Sequence, residues 1–301
     1  MNLRSIFVNR ANNLRAGWRI AIFLLLQVSL SLGIVGILRL LLGISQTGGT
    51  ALAYVVLIGT TFLVLRIVDH RPFKSVGLPL HSRLGAEWGQ GILLSLLMIS
   101  LVFVVQYLLG YVHLTWREES IGVVALSFLS ALLTFLWFGF GEELLFRGYF
   151  FQTLIEGSNQ YVSIIVMSAL FGAAHIANPN ATALGVVNTI LAGVWLSVAY
   201  LKTKTLWFPT ALHATWNFFQ GYVYSFPVSG LKLGGRSLFT LQQTGPEWVT
   251  GGAYGPEGGV LTTIVLLFAV FYILKSPSVR IGGGVWLPQP QASPQIGSSE
   301  V

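Results

Sequence analysis

Residues Phe138 to Tyr149 read FGFGEELLFRGY, two adjacent carboxylates and an arginine set into some of the most apolar sequence in the chain. On a helix Glu143 and Arg147 are four residues apart and share a face, so they can pair, while Glu142 points about 100° away toward a different neighbour. One carboxylate is then neutralised and the other stays available. Charges buried in hydrocarbon are costly unless they are paired or opened to a water-filled cavity, so an intramembrane cluster of this kind points to function.

Composition puts the stretch in a membrane. Hydrophobic residues make up 54% of the 301 residues against 9% charged, and the mean hydropathy is +0.73, more apolar sequence than a soluble domain can hide. There are no cysteines, which excludes disulfides, thiol nucleophiles and thiolate metal sites. The formal charge of +7 comes from 17 Lys and Arg against 10 Asp and Glu. These bases are spread thinly between apolar blocks, a pattern of membrane topology rather than of nucleic acid binding. The arginine-rich N-terminus leads into an apolar run without a small-residue cleavage site, so a retained first span is expected.

Working outward from the Glu-Glu stretch, the sequence predicts an all-α, polytopic helical membrane protein of about eight spans. These run from Ile20 to Leu42, Ala51 to Val68, Trp88 to Leu109, and Ile121 through the charged stretch toward Glu156. Tyr161 to Ile176, Ala181 to Leu201, Trp207 to Tyr224 and Val260 to Leu274 complete the set. Residues 1–276 form the membrane domain, with the chemistry at about 138–220. Ser225 to Gly259 is glycine-rich and too polar to span, and the Gly/Pro-rich tail 277–301 reads as disordered. With a cytoplasmic N-terminus, 13 basic residues fall inside, against Arg39, Arg117, Lys232 and Arg236 on the other side. Both termini are then cytoplasmic, and the Glu-Glu stretch lies near the cytoplasmic end of the fourth span. A site opening to the cytoplasm is the corresponding expectation.

Several other features carry no chemistry. No internal repeat, phosphate loop or TVGYG-like filter marks a transporter or channel. The glycines of Gly33-Ile34-Val35-Gly36 read as helix contact. His70, His81 and His113 fall in loops or at edges, and the Glu118-Glu119 doublet lacks an arginine four residues on. His175 and His213 differ, because each lies inside a hydrophobic run. His175 closes the small-residue stretch Phe171-Gly172-Ala173-Ala174, and Asn217 follows His213 by one turn on the same face.

Together these groups suit hydrolysis. A shielded carboxylate can act as general base on a water, a histidine can hold that water, and an amide with a second imidazole can donate to the oxyanion. The same set could instead hold zinc through Glu142, His175 and His213, with an open position for water. The HExxH pattern is absent, and with Asp69 as the only aspartate there is no aspartyl dyad.

At these residues the chain resembles a known family. Glu142-Glu143-Leu144-Leu145-Phe146-Arg147 is similar to the EExxxR motif of the CAAX protease and bacteriocin-processing family of intramembrane proteases. Phe171 to His175 matches its FxxxH motif, and His213 to Asn217 its HxxxN motif. The RAGWR and DHRPFKSVGL stretches also look like the bacterial branch, which implies a multi-pass protein of a bacterial cytoplasmic membrane. The resemblance implies an endopeptidase acting on membrane-associated peptide or protein substrates, without a resident cofactor. Glu142 would activate water, His175 would position it, and His213 with Asn217 would stabilise the oxyanion. Glu143 with Arg147 would hold the site or share in acid-base work. Some relatives serve as scaffolds, so an inactive interaction protein of the same fold is the alternative. Oligomeric state is not written in these motifs. One difficulty is depth: counting from the inner span ends puts His175 more than about 20 Å deep and His213 only about 10 Å.

Overall fold

The computed structural model describes residues 4–9, 13–233 and 235–280. Helix α1 covers Ala16–Leu42 with a π-helical turn at Ser31–Val35, and α2 covers Gln46–Ile67. Helix α3 is Leu84–Leu108, strand β1 is Val112–Trp116, and α4 is Ile121–Arg147. Then come α5 at Tyr149–Gly157, α6 at Gln160–His175 and α7 at Ala183–Thr203. Helix α8 is Trp207–Phe218, extended by a π-helical turn at Phe219–Val223; β2 is Phe239–Gln243 and α9 is Val260–Lys275.

Five segments are long and apolar enough to cross a membrane: Ala16–Leu42, Gln46–Ile67, Leu84–Leu108, Ile121–Gly157 and Ala183–Thr203. The chain is therefore a polytopic, mostly helical membrane protein. Its outer faces carry large apolar side chains such as Leu25, Leu40, Leu133, Ile165 and Phe268, while Gln106, Glu143, Arg147 and Asn188 are buried. Apolar outside and polar inside is the distribution lipid favours. Among the described residues, the departure from an all-α architecture is one antiparallel strand pair, β1 with β2, in register Val112 to Gln243 and Trp116 to Phe239, besides two isolated bridges.

Local chemistry sets the helix starts. Ser45, Ser120, Asn159 and Thr182 are N-caps whose side chains accept from backbone N–H groups in the first turn of α2, α4, α6 and α7. The charged helix ends at Gly148, where the backbone turns to φ −76°, ψ −127°, a turn that needs glycine because an added Cβ would meet the Leu144 carbonyl at 2.2 Å. The chain then turns into α5, which packs against α1. Gly139 lets α4 lie directly on the backbone of Ala214 in α8. Helix α8 is held between α3 and α4, and α7 between α6 and α9.

Alternating helix direction gives the bundle two ends. At one end Asp69 bridges Arg19 at 2.7 Å and Arg71 at 2.9 Å, and Glu156 pairs with the same two arginines. The Gly77 carbonyl accepts from Leu206 N–H at this end, and Arg83 donates to the Ser278 carbonyl. At the other end are the β1–β2 pair, the turn after α6 and the 225–259 segment. Asn178 donates there to the Ser229 carbonyl, and Asn188 to the carbonyls of Glu257 and Gly259.

Three expectations change. The 225–259 segment is an ordered cap with Phe226, Val228, Val249 and Tyr254 buried, because its carbonyls and amides find partners on helix ends. Val279 is buried among Trp195, Leu266 and Ile273, so packing runs past residue 276; residues 281–301 of the expected disordered tail lie outside the described residues. Gly33 and Gly36 have nothing within 4 Å of an added Cβ, so they mark the π-helical turn and not a helix contact.

Candidate active site

Helix α4 carries Glu142, Glu143 and Arg147, α6 ends on His175, and α8 carries His213 and Asn217. Glu143 and Arg147 are fully buried. Glu143 Oε1 accepts from Arg147 Nη1 at 3.0 Å and from His213 Nδ1 at 2.9 Å. Arg147 Nη2 donates to the Gly193 carbonyl at 3.0 Å, and the guanidinium lies 4.7 Å from the centre of the Phe171 ring. An i, i+4 pair on α4 thus becomes a four-sided brace reaching α6, α7 and α8.

Glu142 is placed differently. Its side chain is 19% exposed against none for Glu143, and its Oε2 has no hydrogen-bond partner. That oxygen faces His213 Nε2 at 3.7 Å, and the Tyr54 hydroxyl reaches the same carboxylate from α2. The two adjacent glutamates are therefore unlike: Glu143 is fully buried and held through Oε1 by two cationic or polar partners, its Oε2 unbonded, while Glu142 lines the cavity.

Hydrogen bonding assigns the imidazole tautomers. A carboxylate oxygen accepts only, so His213 Nδ1 carries a proton and Nε2 is the nitrogen turned to Glu142. His175 Nδ1 donates to the Phe171 carbonyl at 2.7 Å, which leaves its Nε2 for other partners. The Phe171 ring lies 4.8 Å from the His175 ring and 6.0 Å from that of His213, so one aromatic spaces the two histidines. Both line the same cavity, which disposes of the depth difficulty.

That cavity has a volume of about 390 Å³ and is lined by Glu142, His175, His213 and Asn217. Its walls are largely apolar, including Phe138, Phe146, Trp195, Trp216 and Leu266. Among the polar lining residues not singled out by sequence are Tyr54, Asn188 and Glu257. Tyr54 and Asn188 show only as lone polar positions in apolar helices. Glu257 lies in YGPEGG, which reads as a solvated turn, yet its Oε2 accepts from the Ser229 N–H at 2.6 Å. Burial pushes its carboxyl above the usual carboxylate range.

For the zinc alternative of Glu142, His175 and His213, no group of three or more His, Asp or Glu among the described residues is placed to hold a metal ion. The hydrogen bonds do not decide it, since Nδ1 of His213 is taken by Glu143 and Nδ1 of His175 by the Phe171 carbonyl, which leaves both Nε2 atoms open.

Residues 124–219 match the family described as type II CAAX prenyl endopeptidase Rce1-like. All seven defining residues of the three motifs fall within that stretch. No curated protein matches the chain.

Proposed function

Since residues 124–219 belong to the type II CAAX prenyl endopeptidase Rce1-like family, we propose that this membrane protein is an intramembrane endopeptidase that cleaves membrane-associated substrates with glutamate-activated water. The observation carrying this reading is the asymmetry of the glutamates: Glu143 is fully buried and held through Oε1 by Arg147 and His213, while Glu142 is partly exposed and lines the cavity.

A water oxygen between Glu142 Oε2 and His213 Nε2 can be held by both groups. Glu142 takes a proton as the water oxygen bonds to the scissile carbonyl carbon, and the carbonyl π pair moves to its oxygen. The Asn217 amide donates to that oxyanion. His213 can join it only as the imidazolium, since Nδ1–H is committed to Glu143. On collapse the C–N bond breaks and the nitrogen takes the proton from Glu142; the other water proton stays on the new carboxyl or passes to the amine, so the products leave as acid and amine or as carboxylate and ammonium. His175 Nε2 orients the water or the peptide. The Glu143–Arg147 pair keeps His213 in the right tautomer and orientation and does not itself exchange protons.

We place eight spans around this centre, both termini in the cytoplasm, with α6, α8 and α9 as the three shorter crossings. The test is a comparison of membrane and secreted peptides from cells carrying the parent or Glu142→Gln. Peptides that lose their processed forms only in the variant are the expected result. Identical peptide pools at equal protein levels would turn the reading to the scaffold alternative.

A further inference from the structure

The helices that build the cavity say from which side it is reached. Its wall comes from the start of α2 (Gln46, Thr47, Thr50), the end of α6 (His175), the first half of α7 (Asn188) and the 225–259 cap. All of these lie at the bundle end that carries β1–β2. Toward the opposite end the cavity stops at the Glu143–Arg147 pair, whose side chains are fully buried. Gln46 and Thr47, by contrast, are exposed at its rim. The path from the reactive carboxylate to water therefore runs away from the Arg19–Asp69–Arg71–Glu156 network.

Charge orients those two ends. Among the described residues, Arg19, Arg66, Arg71, Lys74, Arg83, Lys202, Lys204 and Lys275 belong to the helix ends and loops at the network end, while Arg117, Lys232 and Arg236 belong to the segments at the cavity-mouth end. Basic residues in short loops remain in the cytoplasm. A Glu-Glu stretch near the cytoplasmic end of its helix is thus compatible with a mouth on the other side, because α6 and α7 bring the outer part of the wall down to it.

We propose that the site is loaded from the non-cytoplasmic face, and that its substrates are segments of exported or outward-facing membrane-anchored chains. The proposal rests on the hydrolytic reading for the word substrate, but the side of entry stands on geometry and charge alone. The apolar wall suits an unfolded, hydrophobic segment. No Lys or Arg is among the described residues that line the cavity, so a segment entering it is not recognised there by a terminal carboxylate.

The absence of native cysteine makes the test direct. Thr47→Cys at the rim, Thr50→Cys inside the wall and Lys74→Cys at the basic end are each exposed to a membrane-impermeant maleimide, in intact cells and in inverted vesicles. The proposal expects both threonine variants to be modified in intact cells, with Lys74→Cys modified only in inverted vesicles. The reverse pattern overturns it, as does a Thr50→Cys that is reached only from the inverted side. Labelling needs no cleavage, so a protein that failed to hydrolyse peptides would leave this result intact, and an active protein with reversed labelling would sink only the entry side.

Discussion

Glu143 Oε1 sits between a guanidinium and an imidazole in a fully buried side chain, so removing Arg147 leaves a buried charge with half its compensation. Arg147→Ala is expected to lower both activity and thermal stability, with a cost of about 3–5 kcal/mol for one partner of a buried pair. Adding Glu143→Gln should recover part of that stability, read by melting of the purified variants; a fully stable, fully active Arg147→Ala would show the brace to be dispensable. Asn217→Ala should slow single-turnover cleavage by about 10²- to 10³-fold with little change in substrate binding. A loss confined to binding would move Asn217 from the oxyanion to the substrate pocket. At this scale the sequence was informative where spacing encodes contact: Glu143 with Arg147, and His213 with Asn217. It was silent on Tyr54 and Glu257, because their place in the cavity depends on contacts between distant segments.

Among the elements, the 225–259 cap is the one whose character changes most between sequence and structure. The sequence marks it only as glycine-rich and too polar to span, whereas Gly251 and Gly255 adopt φ of +80° and +99° in a tight turn that closes on helix ends. The turn buries Glu257, whose folded-state pKa is raised. A carboxyl shifted upward gives its full contribution to stability below its ordinary pKa and loses it as pH rises through the folded value. Glu257→Gln keeps an acceptor for Ser229 without the charge, so its melting temperature should gain on the parent between pH 5 and pH 8. An unchanged difference across that range would mean that the carboxyl is already ionised at no cost. The helices themselves were legible, since long apolar runs with Ser, Asn and Thr caps leave little choice of start. The turn at Gly148 was not, because its need for glycine rests on the clearance of one Cβ from Leu144.

For the whole molecule, a fusion reporter active only in the cytoplasm should score positive after Arg71, Lys204 or Arg280 and negative within Ser229 to Gly258. An inverted result at Lys204 would reject the eight-span arrangement and the entry side with it. Hydropathy made the polytopic helical membrane character legible, and charge bias supplied the expectation of about eight crossings with cytoplasmic termini; neither could tell which end of the bundle the cavity meets, since that is set by helix packing. The most direct test of the central claim uses the whole protein in a bilayer, with single-turnover cleavage of a membrane-presented peptide and binding measured separately. Glu142→Gln keeps the side chain's shape but cannot take a proton from water, so cleavage should fall by at least about 10²- to 10⁴-fold while folding and binding persist. Cleavage by Glu142→Gln within about threefold of the parent, far short of that loss, would contradict the assignment of Glu142 as the base.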